Sequence, residues 1–391
     1  MDTLSPMGAS GAPPSWVHAL RLVDHHCHSV LAGSPDAAAF GTLLTEAEAP
    51  APGADPFDSA LGLSVRRWCA PVLDLPPHVP AADYLARRAE LGASEVTRRL
   101  LAASGTGALL VDLGWCSEEL LGPAELGAAA GAPVSEVLRL EVVAEQVADT
   151  GVEPADYPQT VAETISRRAG SAIACKSILA YRYGFDVDPA RPTDTEVRAA
   201  AAAWLPQRLN PQRPGARLAD PVLLRHALWC GVDTGLPLQL HTGFGDADED
   251  LHRANPILLT GFCRATAVTG TPVVLLHCYP YHREAAWLAH VFGHVHLDVG
   301  LASTFAGARA SALLAEVLEI APFGKVLYSS DAFGLAELYH LAALRFRRAV
   351  HQVLDGWRRD GEAAEQDVQR IAAMIAGGNA RRLYRLGRHT E

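Results

Sequence analysis

Two histidines one residue apart, His26 and His28, end the run Val23-Asp24-His25-His26-Cys27-His28. In an extended strand, residues two apart face the same way, so this pair presents two imidazoles to one point. Two neutral imidazoles from one strand suit a divalent ion such as zinc. Alone, the pair reads as well as a polar pair on a strand edge. It becomes a metal site only where other strands end in matching ligands. Arg139 and Glu141, Lys176, His241, His277 and Asp331 each sit at the end of a further apolar run. A buried, unpaired polar group is costly, and a shared metal with a bound substrate would remove that cost. Singly, each has a plainer reading: His241 or His277 as a core histidine on a backbone carbonyl, Asp331 as a helix cap, Lys176 or Arg139 as the partner of Glu141 in an interior salt bridge. Four histidines and one aspartate at the same end of the strands favour the joint reading.

The apolar runs that must position these groups lie at about 23–28, 108–114, 137–141, 172–178, 236–243, 272–278, 295–300 and 325–331. Between them the sequence turns amphipathic with helical spacing, as in Tyr84, Leu85, Ala89, Val96 and Leu100. Continuous apolar strands imply a sheet covered on both faces, and strict alternation with helices implies parallel strands with right-handed crossovers. Eight units in this length predict an α/β fold, a (β/α)8 TIM barrel, with its active site at the C-terminal strand ends. A doubly wound open sheet is the rival, and no Gly-x-Gly-x-x-Gly follows the first strand to support it. Residues 1–20 read as a flexible lead-in and 21–391 as one domain. The stretch 29–80 reads as a long insertion after the first strand, either a lid or a surface excursion. His25 falls out of register with the pair, and His282 is placed only if the loop after the sixth strand turns inward.

Composition narrows the class. With 391 residues, half of them hydrophobic, the chain is ample for a large core. A formal net charge of -11 with no basic block argues against nucleic acid or an anionic membrane surface as partner. No apolar run is long enough to span a bilayer. The first residues lack a basic start followed by an apolar stretch, so no secretory signal is expected. The seven cysteines are scattered, with no Cys-x-x-Cys pair, and fit buried thiols in a reducing cytoplasm better than disulfides or a thiolate site. The expected partner is a small-molecule substrate; homo-oligomerisation is left open.

The segments VDHHCH, RLE at 139–141, CKSILAYR, LPLQLHTGFGD, VVLLHCYPYHREAAWLA, VHLDVG, VLYSSDAFG and GNARRLY run in order through almost the whole chain. Together they resemble the amidohydrolase superfamily, and within it the amidohydrolase-2 group. They are similar to the barrel domain fused to glutamine-synthetase-like domains in fungal and plant proteins; with the chain ending at Glu391, that second domain is not expected here. The resemblance implies a divalent metal, usually zinc, that activates a water. It would be held by His26, His28, His241 and Asp331, with Asp331 as ligand or general base and His277 polarising the scissile carbonyl. A second ion would need Lys176 carboxylated, together with His277; a single ion is the simpler expectation. Arg139, Glu141, Tyr181, Arg182, Asp246, Arg253 and Arg283 follow strand ends and are candidate substrate contacts, the arginines for a carboxylate and Asp246 for an amine. The expected reaction is hydrolysis of a C–N bond, an amide such as a γ-glutamyl or acyl amide. The alternative is a non-hydrolytic member of the group, a decarboxylase or isomerase of a small carboxylic acid.

Overall fold

The computed structural model describes residues 15–48, 51–115, 119–210, 212 and 215–387. Most of the lead-in expected over 1–20 lies outside the described residues; within them, Ser15–His18 forms a short helix. Seven parallel strands follow in sequential order in one sheet: β1 (Leu22–Cys27), β2 (Thr106–Asp112), β3 (Val134–Arg139), β4 (Ala174–Ser177), β5 (Leu238–Thr242), β6 (Val273–His277) and β7 (Val295–Leu297). Helices link them, and β1, β4, β5 and β6 are buried along their whole length, as expected for strands covered on both faces.

The eighth run, expected as a strand, is irregular, yet it closes the barrel. Leu327 N–H donates to Leu297 O (3.0 Å) on one side; His25 N–H donates to Tyr328 O (3.2 Å) and Asp331 N–H to His26 O (3.0 Å) on the other. The regular ladder fails because Asp24 competes for it. Ser330 turns its backbone N–H and its hydroxyl to the Asp24 carboxylate, at 2.8 and 2.5 Å. Asp331 then takes a left-handed backbone, φ 50°, a conformation unfavourable for a residue with a side chain.

The barrel interior is filled by Val23, Ala108, Leu110, Val137, Ala174, Val274, Leu276 and Leu327, with Ala380 and Tyr384 of the C-terminal segment packed against them. A larger apolar layer lies between the strands and the helices outside. The stretch after β1 has its own packing. Phe40, Phe57, Leu61, Val65 and Leu73 join Tyr84 and the face of helix Ala336–Arg359 that carries Leu338, Tyr339 and Leu341. A buried ion pair ties this region down: Arg88 Nε donates to Glu337 at 2.7 Å, and Tyr84 Oη donates to the same carboxylate at 2.9 Å. That pair holds the adjoining helix Ala81–Leu91, and the described part of the segment 29–80, with helices Ala37–Thr42 and Ala60–Ser64, packs against it through the same apolar cluster. No helix among the described residues is long and apolar enough to cross a membrane.

Candidate metal centre

The centre is built from β1 upward. His26 Nδ1–H donates to Gln239 Oε1 (2.8 Å), and His28 Nδ1–H donates to the carbonyl of Asp112 (3.1 Å). Both tautomers follow from those acceptors. In each ring this leaves Nε2 as the lone-pair nitrogen, and both face the Asp331 carboxylate: His26 Nε2 lies 3.2 Å and His28 Nε2 3.7 Å from Oδ1. His277 Nε2 lies 3.6 Å from Oδ2. Acceptor facing acceptor at these distances is repulsive unless a cation lies between. Neither His277 ring nitrogen has a hydrogen-bond partner, nor has Asp331 Oδ1, although all are buried. His26, His277 and Asp331 offer ligand atoms within 4.8 Å of one another, and so do His26, His28 and Asp112. The donor set thus fits a divalent metal, with second-layer groups that orient the imidazoles.

Electrostatics agree. Burial pushes the imidazolium forms of His28 and His277 down to about 4, and it lowers His26 as well, helped by Lys176. All three are neutral at pH 7, the form that binds metal. Burial opposes ionisation of Asp331, but the charge that His277, His26 and His28 take up as the pH falls outweighs it and holds the carboxyl well below its usual range. Lys176 Nζ lies 3.3 Å from His26 Nε2, and burial brings its ammonium down to about 8. The backbone is strained where the centre is assembled: His277 and Cys278 have φ of 66° and 60°. Asp298 braces that turn by accepting from the N–H groups of His277 (2.9 Å) and Gly300 (2.8 Å).

The structure separates the other expected residues. His241 stacks beside the centre, 4.7 Å from His277 between ring centroids, but its Nε2 is taken by Glu249 Oε2 at 2.8 Å; it belongs to neither ligand group. Arg139 lines the cavity while pairing with Asp112 (2.6 Å). Glu141 is not two residues along a strand from Arg139, because the chain enters helix Leu140–Asp149 at Leu140. Its buried carboxylate accepts from Ser177 Oγ (2.5 Å) and Ile178 N–H (3.0 Å), away from the cavity. The Lys176–Glu141 and Arg139–Glu141 salt bridges are not formed. Tyr181, Arg182 and Asp246 line the cavity. Arg253 instead pairs with Asp186 (2.6 Å), and Arg283, more than half exposed, with Glu316 and Glu319. Neither lines the cavity: Arg253 lies in the helical turn Leu251–Ala254 and Arg283 in helix His282–Val291, each held by its acidic partners. His282 also turns outward, to Glu316 (2.7 Å).

His25 corrects the register argument. The β1–β2 register shifts between Asp24 and Cys27, so strict alternation breaks and consecutive histidines both face Gln239 across the barrel. His25 Nε2 lies 2.8 Å from Asp298 Oδ2, and its Nδ1 accepts from Tyr384 Oη (3.1 Å). Gln239 Nε2 donates to Tyr384 Oη (2.9 Å) and to His25 O (2.7 Å). Asp112 and Gln239 were missed as site residues. Asp112 ends an apolar run as the expected ligands do, and Gln239 is a polar residue in the middle of one; those were the available signals. Glu46, Arg217 and Glu249 lie in loops with no such signal.

The cavity above the imidazoles measures about 560 Å3. Gly245, next to the lining residue Asp246, approaches two ring residues closely: a Cβ there would lie 2.0 Å from Tyr181 Oη and 2.9 Å from His241 Nε2.

Comparison with known proteins agrees with this architecture. The chain is similar to a Lactobacillus casei protein assigned to the metal-dependent hydrolases, with 28% identity, a TM-score of 0.83 and coverage of 95% of this chain and 96% of that one. It shares its fold with a uronate isomerase from Bacillus halodurans (12% identity, TM-score 0.60, 95% of each chain). A glucuronate isomerase from Caulobacter crescentus is alike in fold too (16% identity, TM-score 0.61, 96% of this chain and 94% of that one). Protein fluG of Emericella nidulans is 31% identical over 278 residues, 64% of this chain; the chain spans about a third (32%) of that protein's length. The amidohydrolase family profile matches residues 125–386, and with the strand-end histidines and aspartate assembled in one barrel mouth, the chain belongs to the amidohydrolase family.

Proposed function

We propose that the chain is a metal-dependent hydrolase of a C–N bond, acting on an amide such as a γ-glutamyl or acyl amide of a small molecule. The observation that carries this reading is the convergence of three imidazole Nε2 atoms, from His26, His28 and His277, on the one carboxylate of Asp331, at 3.2 to 3.7 Å. His26, His28, His277 and Asp331 are the residues that fit a metal, which we take to be a single zinc ion. Such an ion supplies Lewis acidity and a nucleophilic water near neutral pH. Asp331 is ionised at pH 7 and accepts the proton of the attacking water. Tyr181 and Arg182 orient the substrate from the cavity wall. Lys176, directed at His26 Nε2, keeps positive charge beside the reacting carbonyl. Thr42, Leu43 and residues Thr45 to Glu48 of the segment 29–80 form part of the cavity wall, and we read that segment as a lid within one domain, 21–391. The composition favours a cytoplasmic protein.

The test is metal content per chain together with amine release from a panel of small amides. One equivalent of zinc and loss of turnover on chelation are expected; full turnover by metal-free protein would refute the reading. A second reading, decarboxylation or isomerisation of a small carboxylic acid, is favoured by one observation. Arg182 Nε is buried in the cavity wall without a partner, a group suited to a carboxylate. Carbon dioxide or sugar-acid isomer formed without amine release would support it.

A further inference from the structure

The wall of the cavity carries two unmet needs of opposite sign. Glu46, on the chain after helix Ala37–Thr42, lines the cavity, and its Oε1 is buried with no hydrogen-bond partner. Its charged neighbours are the acids Asp331 and Asp246, and burial pushes its carboxyl up to about 8. Glu249 lies close to it, and among the described residues its ion-pair contact is His241 alone. No arginine or lysine pairs with Glu46 among the described residues. Arg182 lines the same cavity with a buried, unpartnered Nε; the charges around it include Arg217 and Arg139 as well as Glu145 and Glu141. Asp246 lines the same cavity and feels both needs: its charge acts on Glu46, and those of Arg217 and Arg182 act on it. On the floor, His277 is 1% exposed, with both ring nitrogens unpartnered. A carboxyl surrounded by acids lacks a cation beside which it would ionise, and a buried guanidinium N–H lacks an acceptor. A ligand with one group of each kind satisfies both.

We propose that the cavity takes a zwitterion, a substrate with a free protonated amine held by Glu46 and a carboxylate held by Arg182, so that the scissile bond crosses the floor above His277. This names the substrate class of the hydrolase reading, an amide of an amino acid with its amine unblocked, in place of an N-acylated acid. It rests on that reading for the reaction, not for the binding.

The experiment is calorimetric titration of the metal-loaded full chain with four probes that have no bond to hydrolyse: norleucine, 6-aminohexanoate, hexanoate and hexylamine. At least one of the two zwitterions should bind about tenfold or more tighter than hexanoate and hexylamine. Glu46→Gln should bring that zwitterion to the hexanoate level and leave hexanoate affinity unchanged. Arg182→Gln should bring it to the hexylamine level and leave hexylamine unchanged. The unchanged single-charge probes show that each variant is folded. The proposal is overturned if hexanoate binds as well as both zwitterions, if Glu46→Gln leaves the preference intact, or if no zwitterion binds. Because the probes are not turned over, these results do not depend on the reaction. A protein that cleaves N-acyl amides with no zwitterion preference would refute the substrate class and keep the hydrolase; one that prefers zwitterions but releases no amine would do the reverse.

Discussion

The underside of the centre and the wall above it are built on opposite terms. Beneath the imidazoles, Asp298, His25, Tyr384, Gln239 and His26 form one chain of polar contacts at 2.8 to 3.1 Å, made by protein groups alone. Its members are buried, and they come from β1, β5, the end of β7 and the C-terminal segment. In the wall, Glu46 Oε1 and Arg182 Nε are buried atoms without a hydrogen-bond partner on half-buried side chains. A satisfied polar network specifies one geometry, whereas an unsatisfied one stores a demand for a ligand. The lower region therefore reads as scaffold that fixes tautomers and ring planes, and the upper region as the part the substrate completes.

The sharpest test of that division removes the group where the regions meet. Asp331→Asn keeps the volume and removes the base, so turnover should fall roughly 10^3-fold, within the span for a lost general base, while the fold survives. Circular dichroism and rate measurements on the same preparation check it; a variant that kept its rate would place the chemistry elsewhere. Next in size, Gln239→Leu takes the acceptor from His26 Nδ1–H and frees the ring to change tautomer. Metal affinity should drop about 10- to 100-fold, read by competition with a chromogenic chelator. Tyr384→Phe removes one hydroxyl further from the metal and should cost less by the same assay. If it costs more than Gln239→Leu, the order of the network is wrong.

The smallest effect belongs to the wall. The Glu46 carboxyl is held up to about 8 against an ordinary 4.5. The folded chain thus keeps a proton that the unfolded chain loses, and stability falls as the pH rises from 4.5 through 8. Glu46→Gln has no proton to lose. In the metal-free protein it should gain roughly 2 °C in Tm over the parent at pH 8, with little gain at pH 5. The imidazoles below run the other way. His28 and His277 are held down to about 4, so the unfolded chain takes up protons as the pH falls through 6.5, and the metal-free protein loses stability between there and about 4. Thermal scans of the parent and Glu46→Gln across pH 4 to 9 resolve the two slopes.

Much of this was legible beforehand, and the reasons are local. Eight apolar runs were read as strands and seven of them are, because buried parallel strands are apolar along their length, and the alternation with helices marked the barrel. His26, His28, His277, Asp331 and Lys176 stood out as polar ends of those runs. The failures are where a local rule stopped applying. Glu141 was placed by a period of two that ends when helix Leu140–Asp149 begins. His25 was dismissed by the same period, which the register shift in β1 breaks. The run 325–331 lost its ladder because a side chain 306 residues away, Asp24, takes the Ser330 N–H.

The order of residues along this chain determined which groups are available: two imidazoles on one strand, further ones at later strand ends, a carboxylate in the last run, and enough apolar sequence to bury them. Only the folded barrel decided their use. His241 and His277 are equivalent as strand-end histidines, yet one is bonded to Glu249 and the other faces Asp331. The tautomer of His26 depends on Gln239, 213 residues away. Which atom of a ring carries its proton is set by the acceptor that barrel closure brings beside it, and that is a property of three-dimensional neighbours rather than of sequence spacing.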